Sequence, residues 1–211
     1  MSTIKSLQKG LIFHAPLDGE HLAKDVTPYN NDGTITGATL TTGVKGEAEG
    51  SYIFDGSSND SISYGNSDEL NPESITISFW SKRTDDGYSS SVSKDSQYYD
   101  TATALNANTF TFWDSGSTNR YNLMLGTATL NKWHHIVATY DLSTTTAKTY
   151  RDNVLKDIVT NMASLNVDDS DFTIGSHGVT YDMTGNIADV RIYNRALSTD
   201  EIKLLYDKGR Y

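Results

Sequence analysis

The chain has 211 residues, no cysteine and a formal net charge of -10 at pH 7, which excludes disulfides and thiolate metal sites and sets its field against phosphate backbones and anionic lipid. No nucleic-acid partner and no membrane insertion are therefore expected; neutral or cationic ligands and divalent ions suit the charge better. Only 36% of the residues are apolar, but 13 tyrosines and three tryptophans can fill a thin core, and the length is ordinary for one all-β domain.

Residues 1–9 carry no apolar signal segment, and no apolar run is long enough to cross a bilayer. They read as an N-terminal extension of one domain, 10–211. Strand signals follow at 11–17, 34–40, 51–54, 61–64 and 75–81, separated by Gly, Asn, Asp, Ser and Pro clusters. The middle is more polar and leads into the alternating Thr109-Phe110-Thr111-Phe112-Trp113. There Phe110 and Phe112 are predicted to enter the core, while Thr111 and Trp113 take the opposite face. Further strands are predicted at 121–125, 132–140, 147–151, 172–174 and 186–193. With no helical period before Thr199, this rhythm predicts a sandwich or jelly roll.

The last strand alternates Ala188, Val190 and Ile192 against Ile187, Asp189, Arg191 and Tyr193. Ser198 and Glu201 then form a capping box, and Leu197 with Ile202 has the spacing of a hydrophobic staple. A short helix is predicted from Thr199, burying Ile202, Leu205 and Tyr206 and stopping at Gly209.

The run from Gly185 to Leu197 resembles the C-terminal signature of laminin G-like, concanavalin A-like jelly-roll domains. Phe54-Asp55-Gly56 followed by Ile62, the strand Ile75 to Trp80, and Lys132 to Asp141 are similar to that family's landmarks in the same order. The resemblance implies an all-β, two-sheet antiparallel jelly-roll sandwich with a short C-terminal helix. It also implies that Trp80, Trp133 and His135 are scaffold residues. His134 and His135, adjacent in a strand, face opposite ways and cannot share a metal ion, while His177 lies in a loop more open to ligand.

Several functions compete. Glycoside hydrolases of this fold need two carboxylates facing one cleft, roughly 5 Å apart in retaining enzymes, and the Glu-x-Asp-x-x-Glu pattern of jelly-roll glucanases is absent. No catalytic residue is assigned. Asp18, Asp25, Asn30 and Asp32 cluster in one turn-rich segment and could supply oxygens to a structural calcium; by the resemblance, Asp189 would join them where the first loop meets the last strand. Asx turns explain the same composition without an ion.

Glycan recognition combines an aromatic face with polar groups for hydroxyls. Trp113 precedes the turn Asp114-Ser115-Gly116 and is not a family landmark. Tyr88, Tyr98 and Tyr99 lie in the neighbouring polar insertion, and Arg83, Asp114, Asn119 and Arg120 supply donors and acceptors. The expectation is a non-catalytic carbohydrate-binding or adhesion module whose partner is a glycan or cell-surface polysaccharide. The rival is a structural virion component, a tail, fibre or decoration protein using the jelly roll for assembly or host attachment. Both readings place the protein outside a cell or on a particle, and a homo-oligomer or larger assembly is compatible with either.

Overall fold

The computed structural model describes residues 4–57, 60–87, 89–94, 99–100, 103–104, 107–116, 119–127, 129–166, 169–176 and 182–208. Among them two antiparallel sheets stack face to face. The first is built from β1 (Leu11–Ala15), β3 (Thr39–Thr41), β4 (Ser51–Asp55), β6 (Ile75–Arg83), β12 (His134–Asp141), β13 (Thr146–Arg151), β14 (Val154–Val159) and β16 (Thr184–Tyr193). Its order is β14-β13-β12-β6-β16-β4-β3, with β1 also on β16. The second contains β2 (Thr34–Thr36), β5 (Ser61–Ser63), β7 (Val92–Lys94), β8 (Tyr99–Asp100), β9 (Thr103–Ala104), β10 (Ala107–Trp113), β11 (Arg120–Gly126) and β15 (Phe172–Ile174). Its order is β11-β10-β8-β7-β15-β5-β2, with β9 on β10.

The core between the sheets collects the inward residues of both, including Phe13, Phe54, Ile77, Phe79, Phe110, Phe112, Leu123, Tyr140, Phe172, Val190 and Ile192. Phe13 packs edge-on against Tyr64 and Phe172 at centroid distances of 4.7 and 5.2 Å, a favoured aromatic geometry. Two sequence expectations change here. The predicted strand 34–40 is two strands in different sheets, because Gly37 (φ 74) turns the chain through a three-residue bend closed by Ala38 N–H to the Thr36 carbonyl at 2.8 Å. The alternation of β16 also breaks: Ile187 enters the core with Val190 and Ile192, because pairing shifts between Ala188 and Arg191 and Asp189 takes a left-handed conformation (φ 51).

The outer face of the first sheet is sealed. The C-terminal helix α1 (Thr199–Lys208) starts where the capping box places it. Ser198 N–H donates to Glu201 Oε2 at 3.0 Å, and Glu201 N–H returns to Ser198 Oγ at 3.4 Å. Arg195 clamps the same carboxylate with Nη1 and Nη2 at 2.9 and 2.8 Å. Leu197, Ile202 and Leu205 pack with Val137, Tyr150 and Tyr193 in a second apolar cluster. The N-terminal extension joins it: Ile4–Gln8 forms a 3-10 helix that places Leu7 in the cluster. Tyr206 stays at the rim, partly exposed, its ring stacked 5.7 Å from Trp80. Gly209 lies outside the described residues.

His135 also packs under this helix, 5.0 Å from the Trp80 ring, with Nε2 2.9 Å from Ser78 Oγ. Burial lowers its pKa to about 4, so the ring is neutral at neutral pH and serves as packing. A buried histidine that must stay neutral stabilises the fold above its unfolded value near 6.5 and loses that contribution as pH falls toward 4. The protein should therefore lose on the order of 3 kcal/mol between those limits, and His135→Gln should flatten this part of the stability profile; parallel profiles for the two proteins would refute the assignment. Ile202 is fully buried, so Ile202→Ala should cost about 2–5 kcal/mol in denaturant unfolding, and an unchanged midpoint would show that the helix does not hold the sheet.

Candidate functional site

The outer face of the second sheet is built differently. Strand β10 pairs with β11 in a register that sets Phe112 opposite Tyr121 and Phe110 opposite Leu123 on the core side. The intervening pairs, Trp113 with Arg120 and Thr111 with Asn122, share the outward side. The Arg120 guanidinium lies 5.5 Å over the Trp113 indole, within cation–π range. Arg120 Nε donates to Asn122 Oδ1 at 2.9 Å, and Thr111 Oγ1 donates to the same oxygen at 2.8 Å. This fixes the amide so that its NH2 edge faces away from both. Trp113 is half-buried, whereas Arg120 and Asn122 are exposed.

The platform is braced from behind. Asn166 N–H donates to the Trp113 carbonyl at 3.0 Å, and Ser115 N–H to the Ser164 carbonyl at 2.8 Å. Asp114 is buried, and its carboxylate accepts from Asn119 N–H at 3.1 Å, Gly116 N–H at 3.4 Å and the Asn119 side-chain amide. It shapes the turn that carries Arg120 rather than facing solvent. Arg83 does not join this group. Its Nη1 donates to Asn108 Oδ1 at 3.0 Å, at the other end of β10, five residues and about 17 Å from Trp113 at the rise of a strand. Tyr88, Tyr98 and His177 lie outside the described residues, as does the side chain of Tyr99. Asn122 escaped sequence reasoning, although the alternation in β11 opposite Trp113 carried the signal; Thr111 lies on the Trp113 face as the alternation of β10 predicts.

The first loop uses its acidic residues as turn hubs. Asp25 Oδ1 accepts from His14 N–H at 3.1 Å and Thr27 N–H at 3.0 Å; its Oδ2 accepts from Thr27 Oγ1 at 2.9 Å and Asn31 N–H at 3.1 Å. Asp32 Oδ1 accepts from Asp25 N–H at 3.1 Å, and Asn30 donates its side-chain amide to the Pro28 carbonyl at 2.8 Å. Asp18 accepts from His21 N–H and Nδ1, each at 2.9 Å. Asp189 Oδ1 accepts from His14 Nε2 at 2.8 Å and from Arg191 Nη2 at 3.0 Å. Burial alone would raise the Asp189 carboxyl, but the Arg191 charge and the His14 contact outweigh it and hold it well below the usual carboxylate range.

A hard cation needs six to eight oxygens with lone pairs converging on it. The four aspartates instead turn carboxylate oxygens toward N–H and O–H donors, Asn30 donates its amide to a carbonyl, and Asp189 already faces a guanidinium. Among the described residues no three His, Asp or Glu side chains are placed to hold a metal together. The donor set does not fit calcium. Thermal melts in chelator and in millimolar calcium should superimpose; a midpoint that rises with calcium would reveal an oxygen cage that these contacts do not form.

A family model described as the concanavalin A-like lectin/glucanases superfamily (Laminin_G_3) matches residues 55–203. The chain belongs to this superfamily. Its fold is similar to the ligand binding domain of botulinum neurotoxin serotype D, solved in complex with N-acetylneuraminic acid, at 17% identity and a TM-score of 0.80 over 99% of this chain and 53% of that one. It is also similar to domain 4 of AbnA, a GH43 extracellular arabinanase from Geobacillus stearothermophilus in complex with arabinotriose (19% identity, TM-score 0.75, 93% and 98% of the two chains). A third likeness is to the binding domain of Paraclostridial Mosquitocidal Protein 1 (16% identity, TM-score 0.77, 94% and 52%). The chain spans about half the length of the two toxin domains. At these identities the superfamily likeness concerns the fold. No curated protein sequence matches the chain significantly.

Proposed function

We propose that the protein is a non-catalytic carbohydrate-binding module that holds a glycan on the outer face of β10 and β11. The observation that carries this reading is the half-buried Trp113 indole with the exposed Arg120 guanidinium over its ring and the exposed Asn122 amide next along the strand. An indole offers a flat apolar surface to the C–H face of a sugar ring, and the adjacent N–H groups can donate to its hydroxyls. Successive outward pairs stand about 7 Å apart along the strands, so a second residue of an oligosaccharide would lie over Asn122, which is exposed beside the buried Thr111. The nearest buried carboxylate, Asp114, is turned into its loop, which favours binding over hydrolysis. Two of the similar folds were solved as sugar complexes, with N-acetylneuraminic acid and with arabinotriose, and this supports the ligand class.

A glycan array tests it. The wild-type protein should give a defined set of positives, and Trp113→Ala should lose them while its circular dichroism and melting midpoint stay close to wild type, because no core cavity is made. Undiminished binding by a folded Trp113→Ala protein would remove the platform from the site. No response from the wild-type protein would point instead to a structural or assembly role.

A further inference from the structure

At the end of β10 remote from Trp113 the sheets part around a narrow cavity of about 40 Å³. Its polar lining includes Arg83, Asn108, His134, Arg151, Ser81 and Ser91, and no Asp or Glu among the described residues lines it. In a chain of net charge -10, two guanidinium groups and an imidazole converge on one small space. Arg151 is held at the mouth, Nη1 donating to the Thr127 and Gly126 carbonyls at 2.6 and 3.3 Å.

Two of these groups are left incomplete. The Arg83 side chain is only 9% exposed. Its Nη1 reaches Asn108, and its Nη2 donates to the Gly87 carbonyl at 2.6 Å and lies 3.5 Å from Asp85 Oδ1. Its Nε is buried with no partner. His134 Nδ1 donates to Asp152 Oδ2 at 2.6 Å, which leaves Nε2 as the accepting nitrogen of the ring, also buried and without a partner. An unsatisfied buried N–H costs about 1–3 kcal/mol, and more on a charged group. The carboxylate nearest Arg83 among the described residues, Asp85, is 44% exposed, and Asp152 occupies the far nitrogen of His134. At Arg83 Nε–H the cavity is thus short of an acceptor and of negative charge, and it is roomy enough for a group of a few heavy atoms, since a single water needs about 10–15 Å³ by this measure.

We propose that this cavity is a binding site for a compact carboxylate, with one oxygen accepting from Arg83 Nε–H and the group enclosed by Asn108, His134 and the serine hydroxyls. Guanidinium–carboxylate hydrogen bonds are short and strong and suit a dry site. The carboxylate is either that of a free small acid or the acid tip of a larger ligand such as a uronic acid. The site is separate from the Trp113 platform and does not depend on it.

The test is a titration of the isotope-labelled, full-length protein, followed through the arginine Nε–H signals by NMR. Sodium acetate or sodium glucuronate replaces sodium chloride at constant ionic strength, with glucose as the neutral control. Acetate should shift the Arg83 Nε–H signal saturably, the signal being identified by its absence in Arg83→Lys. A matching glucuronate response assigns the site to acid-bearing sugars, and a response to acetate alone assigns it to small free acids. Ser81→Val, which puts methyl groups into the cavity and leaves Arg83 in place, should lose the shift, and Trp113→Ala should keep it. No acetate shift, an equal shift with glucose, or a shift that survives in Ser81→Val would overturn the proposal and leave a hydrated cavity.

Discussion

Strand β16 pairs with β6 along one side, and along the other it pairs first with β4 through Thr184 to Ile187 and then with β1 through Val190 to Tyr193. A ten-residue strand can change partners midway only if its backbone shifts at the junction, and Asp189 makes that shift in a left-handed conformation that costs a non-glycine residue about 1–3 kcal/mol. The surroundings offset the cost. Asp189 N–H donates to the Pro16 carbonyl at 3.0 Å, and its carboxylate takes His14 from β1 and Arg191 from its own strand. The first strand is thereby tied to the last at the point where the sheet would otherwise come apart. The ion pair is buried, so removing one partner would leave an uncompensated charge. Its value lies in fixing register, and the register determines which residues of β16 meet the core and which meet the helix.

From that register follows a division between the two outer faces. On the first sheet Val137, Tyr150 and Tyr193 point outward and are apolar, so they require the cover that α1 and the N-terminal 3-10 helix provide. On the second sheet the outward residues include hydroxyls and amides that bond one another: Thr111 with Asn122, and Ser93 with Thr173 at 2.9 Å. Ser93 and Thr111 are themselves buried, Ser93 donating to the Ser176 carbonyl at 3.0 Å, while towards β11 Arg120, Asn122 and Met124 are exposed beside the Trp113 indole. The net acidity does not oppose the cationic groups found at the platform and the cavity. At physiological salt the general field is screened within about 8 Å, while contacts to Arg120 or Arg83 act at hydrogen-bond distance.

The sheets, the helix cap and the Trp113 strand were legible because each rests on local pattern. The capping box is a four-residue code, and the Phe110, Phe112 alternation needs only the pleat. What escaped rests on contacts distant in sequence. Strand β7 reads as polar, yet it is buried because Lys94 reaches the Ser170 carbonyl at 2.6 Å and Asn66, and Ser93 bonds Thr173. Strand β14 exposes Val154, Leu155 and Ile158 at a sheet edge and so lacks the in-out pattern; its best signal was the turn at Asp152 and Asn153, both at positive φ. The first loop misled for a related reason. Acidic residues that cap turns and acidic residues that bind calcium have the same composition, and only the direction of their oxygens separates them.

Arg83 shows the same limit more sharply. Sequence proximity to the polar insertion grouped it with Trp113, but β10 is extended, and the Asn108–Arg83 bond and the Trp113–Arg120 stack occupy its two ends. The pairing of β10 with β11 shifts between Asn108 and Thr109, where one step on β10 spans two on β11 and Leu125 is the extra residue. β10 itself alternates without interruption, which puts Asn108 on the inward side with Phe110 and Phe112, where it meets Arg83, and Trp113 on the outward side. One strand thus serves an enclosed charged cavity and an open aromatic platform, at a separation beyond the roughly 7–10 Å over which substitutions usually couple. The two ends can therefore be altered independently as long as the alternation of β10 is kept, and that pleat, rather than any side chain of either site, is the feature they share.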